Sequence, residues 1–155
     1  MPTIRTMRRE RCRFAAATLL SAASAACTTA SGANWSDVAP TLPPLAATAS
    51  RVVVYRPSAW PCAAFTPDVK LDHQRVGALA LDGFLWSDRP PGHHLLELTT
   101  TAGCLTAFTT TAGETKWLRV GTEFTGINWF LECEVVAPER AAKEIVECKA
   151  SGGGA

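Results

Sequence analysis

Three histidines and four cysteines lie beyond residue 50, and they are the side chains best suited to chemistry. His93 and His94 stand together in PPGHHLLEL, residues 90–98, and His73 lies upstream. Imidazoles serve as zinc ligands or general bases. Neighbours on a strand point to opposite faces, however, so His93 and His94 cannot readily serve one metal. The remaining constellation is His73 with His94, near Asp72 or Asp88. A plainer role fits better: Pro90, Pro91 and Gly92 turn the chain, and the histidine opening the strand packs or hydrogen-bonds at its edge. No metal and no cofactor are expected.

A cysteine nucleophile needs a stabilised thiolate and an adjacent base. Only Cys104 lies at a suitable spacing, with His94, and the other enzyme arrangement pairs His94 with Asp88. Neither Ser58 nor Ser87 sits in a G-x-S-x-G turn. Asp82/Asp88 and Glu132/Glu134 are the carboxylate pairs, and residues two apart on one strand, as in the second, are more simply a solvated face. The glycines at 152–154 do not form a phosphate loop. Catalysis is therefore not the expected function.

Aromatic residues offer a better binding hypothesis. Trp60, Phe65 and Phe124 fall in loops between strands, where they can stack on sugar rings of cell-wall glycan or anchor an envelope protein. The alternative is that Trp60 and Phe65 fold back over the core. Trp86, Trp117 and Trp129 sit in strands and are core candidates.

The leader says where such a module would work. Residues 1–27 carry five arginines against one glutamate, whereas the rest holds 10 Lys and Arg against 13 Asp and Glu. Without a cationic patch, nucleic acid is not an expected partner. MPTIRTMRRERCRF followed by AAATLLSAASAA has the form of an export signal with small-residue cleavage sites. Arg8-Arg9 fits a twin-arginine signal poorly. Cys27 follows Ala25-Ala26, and SAAC resembles a bacterial lipobox, departing at Ser24, where an aliphatic residue is usual. Residues 1–27 are read as a lipoprotein-type signal peptide with Cys27 as the lipid site. The alternative is ordinary cleavage near Ala25 or Ala26. Thr28 resembles the residue that sorts lipoproteins to the outer membrane. The expected location is thus the periplasm, on a membrane anchor.

Residues 28–50, rich in Ala, Thr and Pro, read as a tether on which Trp35 and Leu42 can dock, and 150–155 read as a disordered tail. Between them, residues 51–149 form the domain. Short apolar runs at 51–56, 68–71, 75–81, 84–88, 93–100, 104–111, 114–123 and 126–136 are separated by Gly, Pro and Asp turns, which predicts an antiparallel β-sandwich of about seven or eight strands. In the last run, Ile127, Trp129, Leu131, Cys133 and Val135 share a face, so Cys133 should point inward. APERAAKEIVECK predicts a short C-terminal α-helix with Pro138 in its first turn and Ala141, Ala142, Ile145, Val146 and Cys148 as its apolar stripe. Export favours disulfides. Four cysteines allow three pairings; Cys133–Cys148 tying helix to sheet is the expected one, leaving Cys62–Cys104.

YRPSAW, VKLDHQRVGALALDGFLWSDRPPGHHLLEL and GETKWLRV resemble the bacterial envelope proteins grouped as domain of unknown function 2846 and, more distantly, PEGA-type modules. The likeness covers about residues 51–148. It rests on Val69, Leu71, Asp72, Val76 and Gly77, then Pro90, Pro91, Gly92, His94, Leu96 and Leu98, with His73 standing where such turns often carry glycine. It implies a small β-sandwich, often in lipoproteins, and carries over no catalytic residue. The expected function is a non-catalytic envelope binding or assembly module. The alternatives are a periplasmic enzyme using His94 with Cys104 or Asp88, and a spacer without ligand.

Overall fold

The computed structural model describes residues 28–58, 66–100 and 103–152. The signal peptide, Cys27 and the loop residues Trp60, Cys62 and Phe65 lie outside them. Two sheets face each other. One has the order β8-β7-β1-β4-β9, the other β3-β2-β5-β6. Here β1 is Ser50–Arg56, β2 Asp68–Leu71, β3 Gln74–Ala78, β4 Gly83–Arg89, β5 Gly92–Thr99, β6 Leu105–Thr110, β7 Thr115–Phe124, β8 Trp129–Val136 and β9 Lys149–Ala150. The expected β-sandwich with a short C-terminal helix is what forms. Among the described residues it has nine strands, and β1–β7 and β4–β9 are parallel pairs within the otherwise antiparallel sheets.

The two sheets read differently in sequence because they are buried differently. β1 is central and buried along its whole length. Val52 and Val54 face the inter-sheet core, whereas Val53 and Tyr55 face a second core on the outer side of the sheet. A strand covered on both faces is a continuous apolar run, as RVVVY is. β2 and β5 instead alternate: Val69, Leu71, Leu96 and Leu98 are buried between the sheets, while Lys70 and Glu97 are only half-buried.

That second core is closed by two short helices. Helix α2, Pro138–Glu144, is followed by a 3-10 turn at Ile145–Glu147. Ala141, Ile145 and Cys148 are buried as the stripe predicts, but Ala142 and Val146 are exposed. The expected tether is the second cover. Thr29 bridges to Leu81 and Asn34 to Lys149, and helix α1, Trp35–Val38, sets the Trp35 ring edge-on to Phe84 at 5.1 Å and Trp117 at 5.6 Å. A seven-residue helix cannot cover Val53, Phe84 and Trp117 alone, so residues 28–50 are drawn onto the sheet. The tail also begins later than expected. Ala150 lies in β9, and buried Ser151 donates its N–H to Phe84 O at 3.0 Å and accepts from Ala80 N at 3.3 Å.

The expected Cys133–Cys148 bridge does not form. Cys133 points inward, as predicted, and is bonded to Cys104 with Cα atoms 6.0 Å apart. Cys148 is a free thiol in the outer core, so the sheet itself stands between it and Cys133. Cys104, at the start of β6, lies in the opposite sheet on the same side of the sandwich as β8. Its use there excludes Cys62–Cys104. Thr106 adds to this join by donating to Cys133 O at 3.0 Å.

Candidate functional site

The β2–β3 turn builds the histidine site. Asp72 and His73 both have positive φ, 53° and 64°. This is the backbone of a two-residue hairpin, which Asp tolerates and for which His73 stands in for the usual glycine. The turn aims Asp72 at β5. Its Oδ1 accepts from Leu95 N at 3.0 Å, and its Oδ2 lies 2.8 Å from His94 Nδ1. His94 Nε2 lies 2.9 Å from Pro90 O, and Phe108 packs on the ring at 5.6 Å. Burial raises the Asp72 carboxyl, but the Leu95 N–H, the His94 ring and Arg89 together outweigh it and hold it below the usual carboxylate range.

The chemistry foreseen for these residues is not assembled. His93 points to the opposite face and meets Thr109 Oγ1 at 3.0 Å, and His73 pairs with Glu97. Asp88 gives both oxygens to Arg51, at 2.7 and 2.8 Å, instead of meeting His94. Cys104 is consumed in the disulfide. Burial, with Asp82, Glu144 and Glu147 adding to it, pushes the Cys148 thiol up to about 12. Among the described residues no group of three or more His, Cys, Asp or Glu side chains is placed to hold a metal. Buried His94 and half-buried Asp72 thus form a clamp joining the β2–β3 turn, β5 and the turn at Pro90.

Phe124, expected in a loop, is instead a strand residue. It ends β7, opposite Trp129, at the tip of the β7–β8 hairpin. Thr125 N donates to Asn128 O at 3.1 Å, and Gly126 at φ 86° supplies the left-handed bend. The turn leaves Phe124 52% exposed, Phe130 43% and Ile127 87%. Ile127 was expected on the inward face with Leu131; it sits beyond the strand, in the turn, where no facing sheet remains to cover it. Phe130 lies across the hairpin from Glu123. The legible signal was the Thr-Gly pair set inside an apolar run. Glu123 and Glu132 make no ion pair among the described residues.

Leu105 is a further exposed apolar residue, at the start of β6. On the opposite surface, Trp86 and Trp117, expected in the core, are half-buried. Trp117 supports Trp35, and Arg51 lies 4.9 Å above the Trp86 ring. The Trp129 side chain, like Trp60 and Phe65, lies outside what is described.

Comparison with known proteins adds one finding. A family model described as Protein of unknown function (DUF2846) matches residues 46–141, which run from just before β1 into α2. No curated protein and no solved structure matches the chain.

Proposed function

The chain belongs to the DUF2846 family, and from that premise we propose that it is a non-catalytic binding module of the bacterial cell envelope. In this account residues 1–27 export it, Cys27 carries a lipid anchor to the outer membrane, and the folded domain faces the periplasm. The Cys104–Cys133 bond supports an oxidising compartment, and the lipobox-like SAAC supports the anchor.

The observation that carries the binding role is the hairpin tip. Phe124 and Ile127 expose apolar surface at the hairpin tip, and Phe130 adds exposed apolar surface on the other face of the same hairpin, beside Glu123 and Glu132. Clustered exposure of this kind marks contact sites more than isolated exposed residues do. The neighbouring carboxylates of Glu123 and Glu132 define the partner. They disfavour an anionic lipid surface, which attracts Lys and Arg. They suit a protein surface that brings an apolar side chain flanked by Lys or Arg. Trp60 and Phe65 remain in the proposal as a second contact loop, with cell-wall glycan as its alternative ligand.

The test compares wild type with a Phe124→Ser/Ile127→Ser chain after mild chemical cross-linking in cells of the native host. A discrete cross-linked protein species that disappears with the substitutions supports the role. The same species at undiminished yield in the variant contradicts it, as does lipid as the sole cross-linked product.

A further inference from the structure

The side of the sandwich opposite the disulfide holds a polar groove. It runs between β3 and β4, encloses about 340 Å³, and is lined by Arg75, Val76, Trp86, Ser87, Asp88 and Arg89. Most of its charges are already answered. Both Asp88 oxygens are held by Arg51, and Arg75 Nη2 meets Asp68 at 2.7 Å. Arg89 is the exception. Its Nη1 donates to neutral Gln74 Oε1 at 2.7 Å, and it meets no carboxylate at ion-pair distance among the described residues. Asp72, the nearest acid in the β2–β3 turn, spends its two oxygens on Leu95 N and His94. The Arg89 Nε is buried and has no acceptor.

A buried guanidinium N–H without a partner is costly, and the planar fork suits a carboxylate that takes two bonds at once. With Arg51 and Asp68 included, the groove holds three arginines against two aspartates, a net of one positive charge. Val76 and half-buried Trp86 add an apolar wall. The volume falls at the small end of ligand pockets. We propose that this groove binds a small monocarboxylate, with Arg89 gripping the carboxylate and Trp86 and Val76 against the body of the ligand. The chemistry is shared by an acidic sugar and by the free C-terminus of a short peptide.

Both sources can be tried on the 15N-labelled protein, with the arginine Nε–H and tryptophan indole resonances followed. The probes are glucuronate and N-acetyl-alanyl-alanine, with glucose and N-acetyl-alanyl-alanine amide as their uncharged counterparts. At least one carboxylate should move the Arg89 Nε–H and Trp86 indole signals saturably, with no such response to its uncharged counterpart; whichever acid saturates first identifies the source. Arg89→Gln should weaken binding at least about tenfold, the loss of about one charge-assisted hydrogen bond. Ser87→Tyr, which blocks the groove and leaves Arg89 in place, should do the same, so a folding defect in one variant does not decide the outcome. Equal response to the uncharged probes, shifts confined to other residues, no response to any probe, or unchanged affinity in a folded variant would overturn the proposal.

Discussion

Asp72 holds His94 from the β2–β3 turn: Oδ2 lies 2.8 Å from Nδ1, while the far nitrogen, Nε2, meets Pro90 O at 2.9 Å. Both partners accept, so the two bonds form together only when the ring has a proton on each nitrogen. The clamp fixes the Pro90–Gly92 turn to the β2–β3 hairpin. The motif that invites a catalytic reading therefore organises the fold.

Asp72 makes stability acid-sensitive. Its folded-state pKa lies below the ordinary value, so its contribution is present above the unfolded carboxylate pKa and is lost as pH falls through the folded one. Asp72→Asn keeps an acceptor for Leu95 N and tolerates the positive φ, yet loses the charge. Urea unfolding at neutral pH should show a loss of about 1 kcal/mol, because the carboxylate is partly exposed. From about pH 5 downward the wild type should lose stability more steeply than the variant, and the two curves should converge.

The Cys104–Cys133 bond spans 29 residues and joins the two sheets. Cys104→Ser/Cys133→Ser should lower unfolding free energy by about 3.6 kcal/mol in the chain-entropy account. Peptide mapping without reduction should recover this pair. Cys148, buried and with its thiol pushed up to about 12, should resist alkylation near neutral pH until the protein is unfolded.

Glu144 ties helix α2 to the sheet, alongside the ion pair of Arg140 with Glu134 at 2.8 Å. Glu144 Oε2 accepts from Tyr55 OH at 2.8 Å and Arg119 Nε at 2.9 Å, while Oε1 accepts from Arg140 at 2.9 Å. Tyr55→Phe should cost about 1 kcal/mol by denaturant unfolding. Glu144→Gln should cost more, since it removes the negative charge facing both Arg119 and Arg140.

Gly83 allows β9 to close against β4. A Cβ there would lie 2.7 Å from Ala80 O and collide with Ser151 Oγ. Gly83→Ala should destabilise by about 1–3 kcal/mol, as overpacking does. Amide exchange at Lys149–Ser151 should rise more than at β1, because the displaced element is the short edge strand.

The strands were legible because turn residues punctuate them: 68–71 is recovered as written, and the others differ by a few residues at their ends. The last run is the largest departure, since Thr125–Asn128 forms the turn and β8 starts at Trp129. The inward direction of Cys133 was legible from alternation alone. Its partner was not, because periodicity assigns a face to each element but not the layer that covers it. The helix covers the outer face and β6 the inner, and only the assembled sandwich decides between Cys148 and Cys104. The tether failed for the same reason. Its Ala, Thr and Pro content is typical of linkers, yet Trp35 fills a gap that exists only once β1, β4 and β7 are side by side. At the hairpin tip, the exposure of Phe124 followed from its place near a strand end, although it was read as a loop residue, whereas that of Ile127 and Phe130 needed the position of the turn.

The hairpin tip can be tested directly with a photoreactive amino acid placed at Ile127 and, as a control, at Lys70 on the other sheet, each irradiated in cells of the native host. The account predicts a discrete protein adduct from position 127, absent from position 70, with the cross-linked partner peptide carrying Lys or Arg beside an apolar residue. Equal labelling from both positions, or none from 127 in a folded and exported protein, would contradict it.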